Sequence, residues 1–114
     1  MIRARAVLLS DRAATALDEL EASSDTESRS IAKRAHRLKP LLLADCLHGE
    51  VVRKSAIPLV LRARHGLENL YVEDLPGFWR LLYTIVRREG RPIILVVEIV
   101  DHRDYDRWFP GRRR

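Results

Sequence analysis

DLPGFWRLLYTIV, Asp74 to Val86, is the stretch on which the reading of this 114-residue chain turns. Pro76-Gly77 is a strong turn signal. Beyond it Phe78 to Val86 reads as a strand. Trp79, Leu81, Tyr83 and Ile85 share one face, and Phe78, Arg80, Leu82, Thr84 and Val86 share the other. Arg80 is the one charged side chain in that run, and charges inside apolar strands need a partner or a task. Arg87 to Arg91 forms a hairpin loop in which Gly90 supplies a positive-φ position. Pro92 to Val100 is the most apolar segment, predicted to be an inner strand covered on both faces. On the other side of the Pro76-Gly77 turn, Leu70 to Leu75 predicts another strand.

Upstream, Arg3 to Leu9 predicts a short first strand. Asp11 to Ala22 predicts a helix with Ala13, Leu17 and Leu20 inward. Ser24 and Glu27 fit a capping box, so a second helix is expected to start there. Ile31, Ala35, Leu38 and Leu42 give that helix its apolar stripe. Pro40 either kinks it or starts a separate short segment. The two helices form an antiparallel hairpin. Residues 50–56 read as loop, and Ile57 to Arg64 as one or two helical turns closed by His65-Gly66. Helices ahead of a strand meander imply an α+β fold: an N-terminal strand and a helical hairpin packed on one face of a small twisted antiparallel sheet. The other sheet face is expected to be free to present side chains.

Length and a hydrophobic share of 46% set a single domain over residues 1–110, followed by a basic tail at 111–114 that is expected to be disordered. The longest apolar run, Ile93 to Val97, is too short to span a bilayer, so no membrane partner and a cytoplasmic location are expected. A single cysteine, Cys46, permits no internal disulfide. The formal charge of +5 is unevenly spread. Residues 11–28 carry six acidic side chains against one basic, and residues 29–65 nine basic against two acidic. Such polarity provides a basic side that attracts anionic polymers. Arg29, Lys33 and Arg37 form a stripe at helical spacing, and Arg53 and Lys54 add two further cations, all candidates for RNA contact.

NLYVEDLPGFWRLLYTIV followed by IILVVEIVDHRDYDRWF resembles the RelE/ParE toxin superfamily, in its uncharacterised RelE-like branch. The pattern covers about residues 68–110, and the helical hairpin and Lys54 to Pro58 agree with it in order. The resemblance implies the toxin component of a type II toxin–antitoxin system. RelE-type members are ribosome-dependent mRNA endonucleases (mRNA interferases) that inhibit translation, and ParE-type members are non-enzymatic gyrase inhibitors. Both are held inactive by a cognate antitoxin, so the implied partners are that antitoxin and the ribosome with its mRNA, in a homodimer or a toxin–antitoxin hetero-oligomer. The superfamily's strand arginine corresponds to Arg80, its second basic residue to His102 or Arg103, and its C-terminal tyrosine or histidine to Tyr105 or His102. Val72 and Asp74 stand where RelE proper has lysines, which keeps open a ParE-like inhibitor or a catalytically degenerate protein-binding member.

Cleavage by 2′-hydroxyl attack needs a base, charge stabilisation and an acid. Arg80 and Arg103 supply permanent, bidentate cations. His102 is the side chain of this cluster that titrates near neutrality in its unperturbed state. Asp101, Asp104 or Glu98 can orient it. The chemistry is metal-independent, no cofactor is expected, and no His/Cys/Asp spacing makes a metal site. In a purely structural role, Arg80 is expected to pair with Glu98 or Asp101, and Tyr105, Trp108 and Phe109 to anchor the last segment in the core.

Overall fold

A computed structural model describes residues 2–111; the end of the expected tail, residues 112–114, lies outside the described residues. The chain runs β1 (Val7–Leu9), α1 (Asp11–Ala22), α2 (Thr26–Ala44), β2 (Glu50–Val51), α3 (Leu59–His65), β3 (Tyr71–Asp74), β4 (Arg80–Arg88), β5 (Arg91–Val100) and α4 (His102–Trp108). Short 3-10 turns occupy Lys54–Ala56 and Pro76–Phe78. The fold is α+β, around one five-stranded sheet in the order β1-β5-β4-β3-β2.

The sheet is mixed, not antiparallel. β1 runs parallel to β5, with Val7, Leu8 and Leu9 opposite Ile94, Leu95 and Val96. Backbone bonds from Ile94 N to Ala6 O and from Ser10 N to Val96 O, both 2.9 Å, hold this edge. A three-residue strand carries no orientation signal in its side chains, so its direction comes from where α1 and α2 must lie. β2, inside the segment read as loop, pairs with β3 through two residues.

α1 begins at the expected residue because the Ser10 hydroxyl accepts from Ala13 N at 3.1 Å while donating to Val97 O at 2.7 Å. α2 begins one residue later than the capping-box reading. Asp25, not Ser24, is the N-cap, accepting from Ser28 N at 3.2 Å. A carboxylate caps as well as a hydroxyl and adds a favourable charge at the helix N-terminus. α2 runs unbroken through Pro40. An internal proline costs about 3 kcal/mol. Leu38 and Leu42 are both essentially fully buried on either side of it, and each contributes roughly 1.5–3 kcal/mol by burial, so packing holds the helix together.

Both sheet faces are covered. Leu17, Leu20, Ile31, Ala35, Leu38 and Leu42 of the hairpin pack on Leu81, Tyr83, Ile94, Val96 and Ile99. The face expected to be free lies under a second layer: Leu61 of α3 and Tyr105 of α4 pack with Phe109 on Leu82, Val97 and Val100. The alternation predicted for β4 holds, with Leu81 and Tyr83 in one layer and Leu82 in the other. β4 itself starts at Arg80, since Pro76–Phe78 forms a 3-10 turn first.

Tyr83 ties the layers to the loop before β2. Its hydroxyl donates to Cys46 O and accepts from Gly49 N, each at 2.9 Å. Burial pushes this phenol well above its ordinary pKa. A Cβ on Gly49 would lie 2.9 Å from Tyr83 Oη and 3.0 Å from the Val72 carbonyl oxygen, a backbone atom that cannot swing away. Gly49→Ala is therefore expected to cost about 2 kcal/mol in chemical unfolding; a loss of under about 0.5 kcal/mol would show that the loop yields freely.

Candidate functional site

β4 begins and β5 ends at the same pole of the sheet, Arg80 standing opposite both Asp74 and Val100. That register assembles the site. Arg80 is 3% exposed. Its Nε lies 3.1 Å from Asp74 Oδ1, and its Nη1 donates to Trp79 O at 3.0 Å. The guanidinium carbon sits 4.9 Å from the centre of the Tyr105 ring. Asp74 is thus the ion-pair partner of the strand arginine. The pairing expected with Glu98 or Asp101 does not form.

Glu98 belongs to a separate network, created by a β-bulge. Leu82 pairs with Glu98 but Tyr83 pairs with Val96, so Val97 is the extra residue. A bulge turns the following side chains over. Here it puts Glu98 within reach of α3 and of the start of α1. Its carboxylate accepts from Arg12 Nε at 3.1 Å and Arg64 Nη1 at 2.8 Å, and bonds His65 Nε2 at 2.7 Å. Burial by itself raises the Glu98 pKa, but the hydrogen bonds from His65, Arg64 and Arg12 outweigh it and hold the carboxyl below its usual range.

α4 carries the remaining candidates. Asp101 caps it, accepting from Asp104 N at 3.1 Å. His102 and Arg103 are exposed on its first turn, whereas Tyr105 is buried and faces Arg80. Tyr105 and Phe109 pack at 4.8 Å between ring centres, and Arg64 lies over Trp108 at 5.9 Å, so the aromatic residues of the last segment anchor α4 as expected. The structure therefore brings Arg80 and Tyr105 together and leaves His102 and Arg103 on the outer surface of the same helix. The other three histidines each bond a glutamate: His36 with Glu21, His48 with the buried Glu73, and His65 with Glu98.

The RNA-contact candidates do not form one surface. Arg29, Lys33 and Arg37 are exposed on α2, on the hairpin side of the sheet, and Arg29 also donates to Ser24 O at 3.1 Å. Arg53 and Lys54 are exposed beside the second layer, adjoining Val52 and Ile57. Between α1 and α4 opens a cleft of about 650 Å³ into which Asp11, Glu19, Asp101 and Asp104 bring carboxylates, with Arg12 and Trp79 on its wall. Its charge disfavours phosphate. Among the described residues no group of His, Cys, Asp and Glu is arranged to hold a metal ion, and no helix is long and apolar enough to cross a membrane.

Sequence reasoning missed the Glu98 network, because a bulge leaves no local mark in an apolar strand. The signal that could have raised it was a lone carboxylate inside Pro92 to Val100. No protein-family model matches the chain, and no curated protein or solved structure gives a significant match.

Proposed function

We propose that the chain is the toxin of a type II toxin–antitoxin pair of the RelE/ParE kind, inhibiting translation by cutting mRNA on the ribosome and silenced by a cognate antitoxin. The observation that carries this reading is the convergence of the two motif segments: the strand arginine Arg80 lies against Tyr105 of the DHRDYD helix at 4.9 Å. The exposed pair on that helix then does the chemistry. His102 exchanges the proton of the attacking 2′-hydroxyl or of the leaving 5′-oxygen, and Arg103 neutralises the phosphorane-like charge. Arg80, 3% exposed, acts as a positioning residue that fixes α4 through Tyr105.

One observation favours a second reading, a ParE-like inhibitor or a protein-binding member without catalysis: the Arg80 guanidinium is already engaged by Asp74, Trp79 O and Tyr105. Induced expression separates the two. The nuclease reading expects growth arrest with cleaved mRNA, relieved by His102→Ala/Arg103→Ala at least about 100-fold in cleavage rate. Arrest that survives the double substitution with mRNA intact would reject it, and inhibited DNA supercoiling by the purified protein would then identify the gyrase mode.

A further inference from the structure

The pole of the sheet opposite Arg80 gathers arginines that the motif block does not use. Eight strand steps separate Arg80 from Arg88, roughly 26 Å. There Arg88 stands directly opposite Arg91 across the β4–β5 ladder. Like charges in that relation destabilise a hairpin. The turn between them, Glu89-Gly90, has positive φ at both residues (53° and 76°), so it is tight and holds the two arginines at the tip. Arg87 precedes them, its Nη1 donating to Gly90 O at 2.9 Å. The N-terminal segment adds Arg3 and Arg5, placed alongside by the bond from Arg5 N to Pro92 O at 2.9 Å.

All five arginines are exposed, and among the described residues none joins an ion pair. Glu89 is the one carboxylate in the turn. Immediately beside Arg87 opens a groove of about 550 Å³ lined by Ile2, Leu67, Pro92 and the half-buried Tyr71 together with the polar side chains of Asn69, Thr84 and one exposed carboxylate, Glu68. A cluster of guanidinium groups that reaches, through Arg87, a mixed polar and apolar groove with an aromatic wall suits a strand whose phosphates and unstacked bases are both accessible. A lipid surface would use the charges but leave the groove without a role.

We infer that this arginine pole, Arg3, Arg5, Arg87, Arg88 and Arg91 with the Tyr71 groove, binds single-stranded RNA, phosphates on the guanidinium groups and a base in the groove. The choice of RNA rests on the mRNA-directed reading above. The binding surface itself is distinct from the His102 and Arg103 site, so a failure of one can be told from a failure of the other.

The test is fluorescence anisotropy of a labelled single-stranded RNA decamer with the full chain over a salt series. Five phosphate contacts predict a log–log slope of about −3.5, or roughly 100-fold weaker binding at 200 mM than at 50 mM salt. Arg88→Gln/Arg91→Gln should reduce the slope to about −2.1, a roughly 20-fold loss over the same range. Arg3→Gln/Arg5→Gln should do the same, which guards against a local change at the turn. An unchanged slope in both variants would overturn the inference. So would a loss confined to Arg29→Gln/Lys33→Gln on α2, or stronger binding to duplex RNA or to phosphatidylserine vesicles than to the decamer. Loss of decamer binding with growth arrest retained by the same variants would leave the toxin reading standing; decamer binding without arrest would leave the pole standing alone.

Discussion

Glu98→Ala is expected to lower the unfolding free energy by about 3 kcal/mol, read as a shift in urea midpoint at unchanged slope. The Glu98 side chain is 2% exposed, and Arg12, Arg64 and His65 all point at it. Removing the carboxylate leaves three donors around a void. The loss falls at the lower end of the range for a broken buried pair, because the Arg12 side chain is 53% exposed and can turn to water. Glu98→Gln keeps the shape but turns an amide NH₂ toward donors, so a loss of about 2 kcal/mol is expected. The same carboxyl sets an acid limit. Its pKa is lower in the folded chain than its ordinary value of 4.5, so its contribution is fully present above that value. As pH falls through the folded pKa that contribution disappears. Stability should therefore drop more steeply below pH 4.5 in the parent than in Glu98→Gln. Parallel acid limbs in the two proteins would show that Glu98 is not the group responsible.

The layers were legible in the chain wherever an apolar period ran long enough. Ala13, Leu17 and Leu20 on α1, the stripe of α2 and the alternation of Leu81, Leu82 and Tyr83 all report on burial, and burial is what they do. The features that escaped have short or non-local causes. β1 and β2 are three and two residues long, so neither offers a period. The bulge at Val97 is visible only in the pairing with β4 and changes the facing of Glu98 without changing composition. The covered second face depends on α3 and α4, each of seven residues, whose inward anchors Leu61 and Tyr105 are single residues. At the candidate site the residue types were legible but their exposure was not. Arg80 and Arg103 look alike as letters; a cross-strand aspartate and a helix aromatic separate them.

Arg80→Ala is the second substitution with a large expected effect, about 3 kcal/mol in unfolding free energy. It removes the cation beneath Tyr105 and leaves a void between β4 and α4, while Asp74, whose side chain is 81% exposed, simply returns to water. Destabilisation alone does not reveal whether Arg80 also touches substrate. Arg80→Met does. Because Asp74 is exposed, replacing the buried guanidinium with an apolar side chain of similar length leaves no buried charge unpaired, so Arg80→Met should unfold within about 1 kcal/mol of the parent. Under the proposed nuclease reading, if Arg80 only positions α4, this variant keeps growth arrest and cleavage within about threefold of the parent. If it supplies charge to a phosphate, a methionine cannot replace it, and cleavage falls by about 100-fold or more while stability holds. The burial of Arg80 and its engagement by Asp74, Trp79 O and Tyr105 favour the first outcome. A stable, inactive Arg80→Met would require α4 to lift Tyr105 away from Arg80 before cleavage, and protection of the α4 amides in hydrogen exchange would then fall when the ribosome binds.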